Sequence, residues 1–240
     1  MSELASDTAM VLSAGLGKRM RPLTASQPKP MVRVAGKPLL DHSLDKLAEA
    51  GVTRAVVNVH YLADAIEAHV AARAMPKVMI SDERAELLET GGGLVKAWRE
   101  GLLPDPFFTV NSDNIWLDGP YDAFRELSEA WEPGKMDGLL LLVPHSRAIN
   151  HRRKGDFHMD AEGRISRRRS GRIAPFIWTG IQLISHRLLR DPPEGAFSTN
   201  VLWDRAIGEG RLYGISFPGQ WAEVGDPTAI VTTEALLQRG

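Results

Sequence analysis

The chain contains no cysteine, which excludes disulfides, thiolate metal centres and cysteine nucleophiles at the outset. It has no apolar run approaching the roughly 20 residues that a membrane-spanning helix needs. The opening stretch Met1 to Thr8 is polar and lacks the basic-then-apolar order of a secretory leader, so a cytoplasmic protein with no membrane partner is expected. Net charge is scarce as well: 29 Lys and Arg against 30 Asp and Glu leave −1, which argues against a general nucleic-acid-binding surface. There is no Pro- or Ser-rich linker, internal repeat or low-complexity tract. No hexapeptide repeat follows residue 240, so an acyltransferase extension is not expected. What remains is an ordinary globular composition, 43% hydrophobic and 25% charged over 240 residues. That is enough chain to bury a full core in one α/β domain, with or without a small subdomain.

The apolar pattern has two periods. Ala9–Ser13, Arg54–Val59, Lys77–Ser81, Phe107–Asn111 and Gly138–Val143 are short apolar runs, Arg54–Val59 markedly β-branched, which read as strands. Between them, Pro38–Ala50, Leu62–Ala72 and Gly92–Glu100 carry helical spacing, the first bounded by a proline at its start and Gly51 at its end. Strand and helix alternate at spacings that need crossover connections. The pattern predicts a three-layer α/β fold with a mostly parallel twisted sheet. The second half is less regular. A small hairpin is expected around Ala161–Gly163, from Asp156–Met159 and Gly163–Ile165, then a long strand at Phe176–Ile184 and helices at Asn200–Gly208 and Pro227–Gln238. One domain spanning 1–240, with a small substrate-side insertion, fits this order.

Chemistry concentrates in AGLGKRMRPLTASQPKP, residues 14–30. Gly15 and Gly17 follow a buried strand directly, at the edge of an α/β sheet where ligands bind. Glycines there let backbone N–H groups approach phosphate oxygens, and Lys18, Arg19, Arg21 and Lys29 add cations. The segment is neither a Walker A loop nor a dinucleotide fingerprint, because no Gly-Lys-Ser/Thr follows and Met20 stands where a third glycine belongs. Asn111-Ser112-Asp113-Asn114 ends another strand. Asp113 reads either as a turn cap or as a carboxylate holding Mg²⁺ against phosphates, and the upstream phosphate loop favours the metal.

Gly91, Gly92 and Gly93 open a helix and could bring backbone N–H groups to a flat ligand or an anion. Glu83 reads either as an acceptor for a base N–H or as a solvated acid among Asp82 and Glu86. Asp156 and Glu223 read by themselves as turn or strand-edge residues. His42, His60, His145 and His151 lack ligand spacing and read as surface residues. The arginine-rich stretches Arg152-Arg153-Lys154 and Arg164, Arg167–Arg169 and Arg172 read as a solvated loop or hairpin rather than a ligand-facing patch.

Taken together, these motifs resemble the sugar nucleotidyltransferases of the pyrophosphorylase superfamily, over almost the whole chain from Met10 to about Leu237. Gly15, Gly17, Arg19, Pro22, Leu23, Thr24, Pro28, Lys29 and Pro30 match the pattern G-x-G-x-R-x-x-P-L-T followed by P-K-P. Leu88–Gly93, Asn111–Asp113 and Gly155–Phe157 are most similar to the branch that makes UDP-N-acetylmuramate from UTP and the sugar 1-phosphate in peptidoglycan recycling. The resemblance implies a nucleotide part at about 9–115 and a sugar part at about 116–240. It implies that Ala14, Gly15, Gly17, Lys18, Arg19 and Lys29 line the triphosphate, with Glu83, Thr90 and Gly91 beside the base. It implies Asn111, Asp156, Thr179 and Glu223 at the sugar, and Asp113 with Glu223 on Mg²⁺; Arg19, Lys29 and Asp113 would carry the catalysis. Two positions depart from the pattern: Glu223 stands for the usual Asp, and Asp226 for the Thr that follows Val-Gly. A guanylyltransferase acting on mannose 1-phosphate and a non-catalytic nucleotide-sugar sensor are the rival readings.

Overall fold

A computed structural model describes residues 3–120, 122–151 and 154–238. Strand β1 (Thr8–Leu12) alternates its apolar side chains, with Ala9 and Val11 facing one side of the sheet and Met10 the other. After a long loop, the two-residue strands β2 (Arg33–Val34) and β3 (Lys37–Pro38) form a ribbon. Helix α1 (Leu39–Ala50) buries Leu40, Leu44 and Leu47. It ends at Gly51, whose φ of 100° is the left-handed conformation that lets Val52 N–H close back on the Leu47 carbonyl at 2.9 Å. Then follow β4 (Arg54–Val59), α2 (Ala63–Val70), β5 (Lys77–Asp82), α3 (Glu89–Arg99) and β6 (Phe107–Asn111).

The second half contributes β7 (Asn114–Leu117), α4 (Ala123–Ala130), β8 (Gly138–Pro144), β9 (Ala148–Ile149), β10 (Phe157–Met159), β11 (Ile165–Arg167), β12 (Phe176–Ile184), α5 (Asn200–Gly208), β13 (Leu212–Ser216), β14 (Gln220–Glu223) and α6 (Thr228–Leu237). The main sheet runs β5-β4-β1-β6-β12-β8-β13. β5, β4, β1 and β6 are parallel to one another, β12 is antiparallel to both of its neighbours β6 and β8, and β13 is parallel to β8. The β10–β11 hairpin attaches to the start of β12, and β7, β14 and β9 form a second, small sheet. The parallel strands bury both faces, as crossover connections require. On one face α1, α2 and α4 pack Leu44, Ile66 and Phe124 around a core with Val57 and Phe108. On the other, α3 and α5 pack Leu94, Leu202 and Trp203 against Met10 and Leu140. The expected three-layer α/β fold with a mostly parallel sheet is the fold observed.

Two differences from the sequence reading matter for the site. The hairpin turns around Ala161–Gly163 as expected, but its strands are Phe157–Met159 and Ile165–Arg167, so Asp156 precedes β10 rather than opening it. β12 also carries a bulge between Trp178 and Gln182, where four residue steps oppose two on β8. Gly180 lies in the bulge at φ 85°, and a Cβ there would stand 2.0 Å from Asn114 Nδ2 and 3.0 Å from Asn111 Cβ. Only glycine lets the bulge press against the end of β6.

Candidate functional site

β1 and β6 lie side by side and parallel, with Leu12 opposite Asn111. Both therefore end at the same edge, and the loops that follow them meet there. Ser112 fastens the two ends together, its N–H and its hydroxyl both donating to the Leu12 carbonyl at 3.2 and 2.8 Å. Gly17 is left-handed at φ 59°, and a Cβ there would meet Lys29 Cβ at 2.9 Å and Thr24 Cγ2 at 3.1 Å. The loop folds onto its own Pro-Lys-Pro end at that point, held by the Thr24 hydroxyl donating to the Gly17 carbonyl at 2.8 Å. Gly15 is different: a Cβ there would meet no protein atom within 4 Å. Its bare backbone faces open space, as an anion-binding backbone must.

The fold at this edge brings Lys29 to Asp113, with Nζ 2.6 Å from Oδ2. Glu223 arrives from the other end of the chain because β14 pairs with β7, which sets Glu223 opposite Asn114, and because Val224 N–H donates to the Asp113 carbonyl at 2.9 Å. Its Oε1 lies 3.4 Å from Arg19 Nη2 and its Oε2 lies 3.3 Å from His151 Nδ1. Gly225 makes room for Arg19, since a Cβ there would stand 2.8 Å from Nη1. The two carboxylates of the expected metal pair are thus neighbours across two adjacent backbones, each facing a cation of the loop. Among the described residues no cluster of three or more His, Cys, Asp and Glu side chains could hold a metal. A cleft of about 350 Å³ runs from Ser13 and Gly15 past Asn58 and Thr90 to Asn111 and Asp113. A second hollow of about 410 Å³ continues over Gly17, Lys18 and Arg19, and the two share Gly15, Lys29, Leu87 and Asp113.

The family model described as nucleotidyl transferase matches residues 8–167. This chain belongs to the nucleotidyl transferase family. It is 44% identical over 95% of its length, and 96% of the other chain, to an N-acetylmuramate alpha-1-phosphate uridylyltransferase of Caulobacter vibrioides. It is 30% identical over 93% of its length to a mannose-1-phosphate guanylyltransferase catalytic subunit beta of Danio rerio, of which it spans only 62%. Among solved structures, an inositol-1-phosphate CTP transferase from T. maritima superimposes with a TM-score of 0.79 at 18% identity, covering 98% of this chain and 96% of the other. A glucose-1-phosphate thymidylyltransferase from Bacillus anthracis, described as putative, superimposes with 0.77 at 16%, covering 95% and 94%. At those identities the likeness concerns the fold.

Within this nucleotidyltransferase, the segment before and into α3 departs from the sequence reading. Glu83 does not face the cleft. It is 1% exposed, accepts from Asn58 Nδ2 at 2.7 Å and from Leu88 N–H at 3.3 Å, and burial pushes its carboxyl above the usual range. Gly91 and Gly92 do not present free N–H groups, because both donate to the Phe197 carbonyl at 2.8 and 3.1 Å. A Cβ at Gly91 would overlap the Phe197 ring at 2.4 Å, so close packing with the loop before α5 requires that glycine. Thr90 does line the cleft, with its hydroxyl accepting from Thr199 N–H at 2.9 Å.

Residues expected at the sugar separate likewise. Asn111 lines the cleft, and its Oδ1 is buried without a hydrogen-bond partner. Asp156 is half-buried beside β12 and accepts from Trp178 N–H at 3.1 Å. Thr179 is fully buried in the bulge, its hydroxyl donating to the Leu141 carbonyl at 2.9 Å and its own carbonyl accepting from Trp221 Nε1 at 2.8 Å. That carries it away from the cleft and makes it part of the frame behind Asn111. His151, expected on the surface, has a side chain only 3% exposed against Glu223. The sequence reading also missed Asn58, whose signal is a lone amide near the carboxyl end of the run RAVVNV. Of the arginine cluster, Arg152 and Arg153 lie outside the described residues. Arg164 pairs with Asp160, and Arg167 pairs with Asp204 and lies over the Phe157 ring. Both serve the hairpin.

Proposed function

We propose that this protein transfers the uridylyl group of UTP to a sugar 1-phosphate, N-acetylmuramic acid 1-phosphate, with Mg²⁺. The products are a UDP-sugar and pyrophosphate, and the reaction belongs to cytoplasmic peptidoglycan recycling. What supports the reading is that Gly15, Lys29 and Asp113 line one cleft, with Lys29 paired to Asp113 and Glu223 on the strand that pairs alongside at Asn114. The uridylyl donor and the sugar are supported by likeness to the Caulobacter enzyme along nearly the full length of both chains.

The residues at the edge fit the ion. Mg²⁺ takes oxygen ligands, usually one or two protein carboxylates with the rest from phosphates and water, and Asp113 and Glu223 are carboxylates on neighbouring backbones, Val224 N–H donating to the Asp113 carbonyl. Asp113 and Glu223 would hold it, and when bound it would neutralise charge on the phosphates. The chain's own groups do the remainder. Backbone at Gly15 and Gly17 receives phosphate oxygens, with Lys18 and Arg19 alongside. Lys29, which pairs with Asp113, exchanges that carboxylate for phosphate. Asn111 orients the sugar with its unpaired Oδ1.

The sugar phosphate is already an anion, so its oxygen attacks the nucleotide's α-phosphorus without a general base. The bond from that phosphorus to the β-bridging oxygen breaks, and pyrophosphate carries away the electron pair in line. The protein's task is to align two polyanions that repel one another and to meet the developing charge.

Pyrophosphate release measured for UTP and GTP, each with N-acetylmuramic acid 1-phosphate and mannose 1-phosphate, tests this. The UTP pair with the muramic sugar should dominate. Faster use of GTP with mannose 1-phosphate would replace the base and sugar assignment by the guanylyl one. Absence of Mg²⁺-dependent turnover with every pair would point to a sensor instead of an enzyme.

A further inference from the structure

Glu83 is a buried carboxylate with no ligand to touch, yet both of its oxygens bond to groups that shape the cleft. Oε1 accepts from Asn58 Nδ2 at 2.7 Å, and the other face of that amide, Asn58 Oδ1, accepts from Ser13 N–H at 2.7 Å. An ionised carboxylate can only accept, so it fixes which end of the amide points inward and leaves the carbonyl end for Ser13. Asn58 and Ser13 both line the cleft, and Ser13 is the last residue before Ala14 and Gly15. Oε2 accepts from Leu88 N–H at 3.3 Å, between Leu87 and Glu89 on the opposite wall. Glu83 itself is anchored at both backbone ends: its N–H donates to the Val59 carbonyl at 2.8 Å, and its carbonyl lies 2.7 Å from His60 Nδ1.

Gly93 independently marks the same place. It sits in α3 with an ordinary helical backbone, where alanine would be the better helix former. A Cβ there would stand 2.6 Å from Glu83 Oε1 and 3.1 Å from Asn58 Nδ2, and the three atoms nearest to it all belong to that pair. The third glycine of the triplet therefore serves the carboxylate and its amide partner, not a ligand.

We infer that Glu83 is a positioning residue of the nucleotide site: through the Asn58 amide it sets the start of the glycine loop, and through Leu88 it sets the facing wall. The inference rests on the reading of this cleft as the nucleoside triphosphate site. Glu83 acts on how tightly the triphosphate is held, and leaves the sugar phosphate end, built by Asn111 and the β12 bulge, as it is.

The test compares wild type with Glu83→Leu, Glu83→Gln and Gly93→Ala. Titration calorimetry gives Kd for whichever of UTP, GTP, CTP and TTP the wild type binds best, and steady-state kinetics gives both KM values. Glu83→Leu and Gly93→Ala should weaken triphosphate binding about tenfold or more, with the sugar phosphate KM within about twofold of wild type. Glu83→Gln still offers an oxygen to Asn58 but turns an NH₂ toward the Leu88 N–H, so it should bind more weakly than wild type and clearly more tightly than Glu83→Leu. Wild-type affinity in Gly93→Ala or in a folded Glu83→Leu would overturn the inference. So would a loss shared equally by both substrates, or a Gln variant as weak as Leu. If Glu83→Leu does not fold, Gly93→Ala and Glu83→Gln decide alone. A wild type that binds no triphosphate overturns the nucleotide-site reading and this inference with it, whereas normal wild-type binding with unmoved variants overturns this inference only.

Discussion

Replacing Lys29 by Met separates chemistry from stability at the centre of the site. Lys29 Nζ lies 2.6 Å from Asp113 Oδ2, with the two side chains 13% and 27% exposed. Methionine keeps the length and packing of the stem, which is pressed against Gly17, and removes only the charge. Asp113 stays open enough to water to be hydrated, so the lost pair should cost no more than about 1 kcal/mol of stability. For a chain of this size that is a fall in Tm of roughly 2–4 °C. Turnover should respond on another scale. If Lys29 leaves Asp113 for the phosphates, the variant lacks a preorganised cation where charge develops. Such a loss is worth about 2.7–4 kcal/mol, or roughly 10²- to 10³-fold in kcat/KM. Pyrophosphate release and a thermal melt on the same preparation decide the matter. A kcat/KM within about tenfold of wild type would refute the phosphate role. A melt lowered by much more than roughly 4 °C, with activity falling in proportion, would make the pair a structural brace.

Two further outcomes follow from the same geometry. Glu223→Gln should lose most Mg²⁺-dependent turnover and raise the Mg²⁺ concentration for half-maximal rate, whereas Glu223→Asp should keep part of it. Full activity in the Gln variant would leave Asp113 as the single carboxylate on the ion. For Glu83, burial raises the carboxyl above 4.5 in the fold, so its contribution to stability is fully present below that pH and is lost as pH rises through the folded value. In urea unfolding, wild type should lose ground to Glu83→Gln as pH goes from about 4 to about 8; a difference that stays flat would contradict the burial account.

Elements that fold on local information were legible in the sequence. The strands Arg54–Val59, Phe107–Asn111 and Phe176–Ile184 and the helix Asn200–Gly208 have the bounds that their apolar periods indicate. The short strands β7, β9 and β14 were not legible, because each exists only through a partner far along the chain: Trp221 pairs with both Trp116 and Ala148. Helix α4 was missed for a different reason. Asp122 caps it by accepting from Phe124 and Arg125 N–H, and Ala123, Phe124, Leu127 and Ala130 recur at helical spacing, but two of the four are alanines, so the apolar stripe is short and weak beside those of the longer helices.

The site divides along the same line. Gly15, Lys29 and Asp113 could be read because strand ends and spacing alone bring them to one edge of a parallel sheet. Glu83 could not, since an acid between Asp82 and Glu86 looks solvated until the fold encloses it. The glycines carry the sharper lesson. A glycine in a sequence says that a side chain does not fit, and says nothing of what stands in its place. At Gly15, on the cleft, no protein atom stands within 4 Å of that place; at Gly91 it is the ring of Phe197, and at Gly93 the carboxylate of Glu83. Three glycines that read alike as phosphate or base contacts thus have one member open to the cleft and two whose missing Cβ makes room for the protein itself.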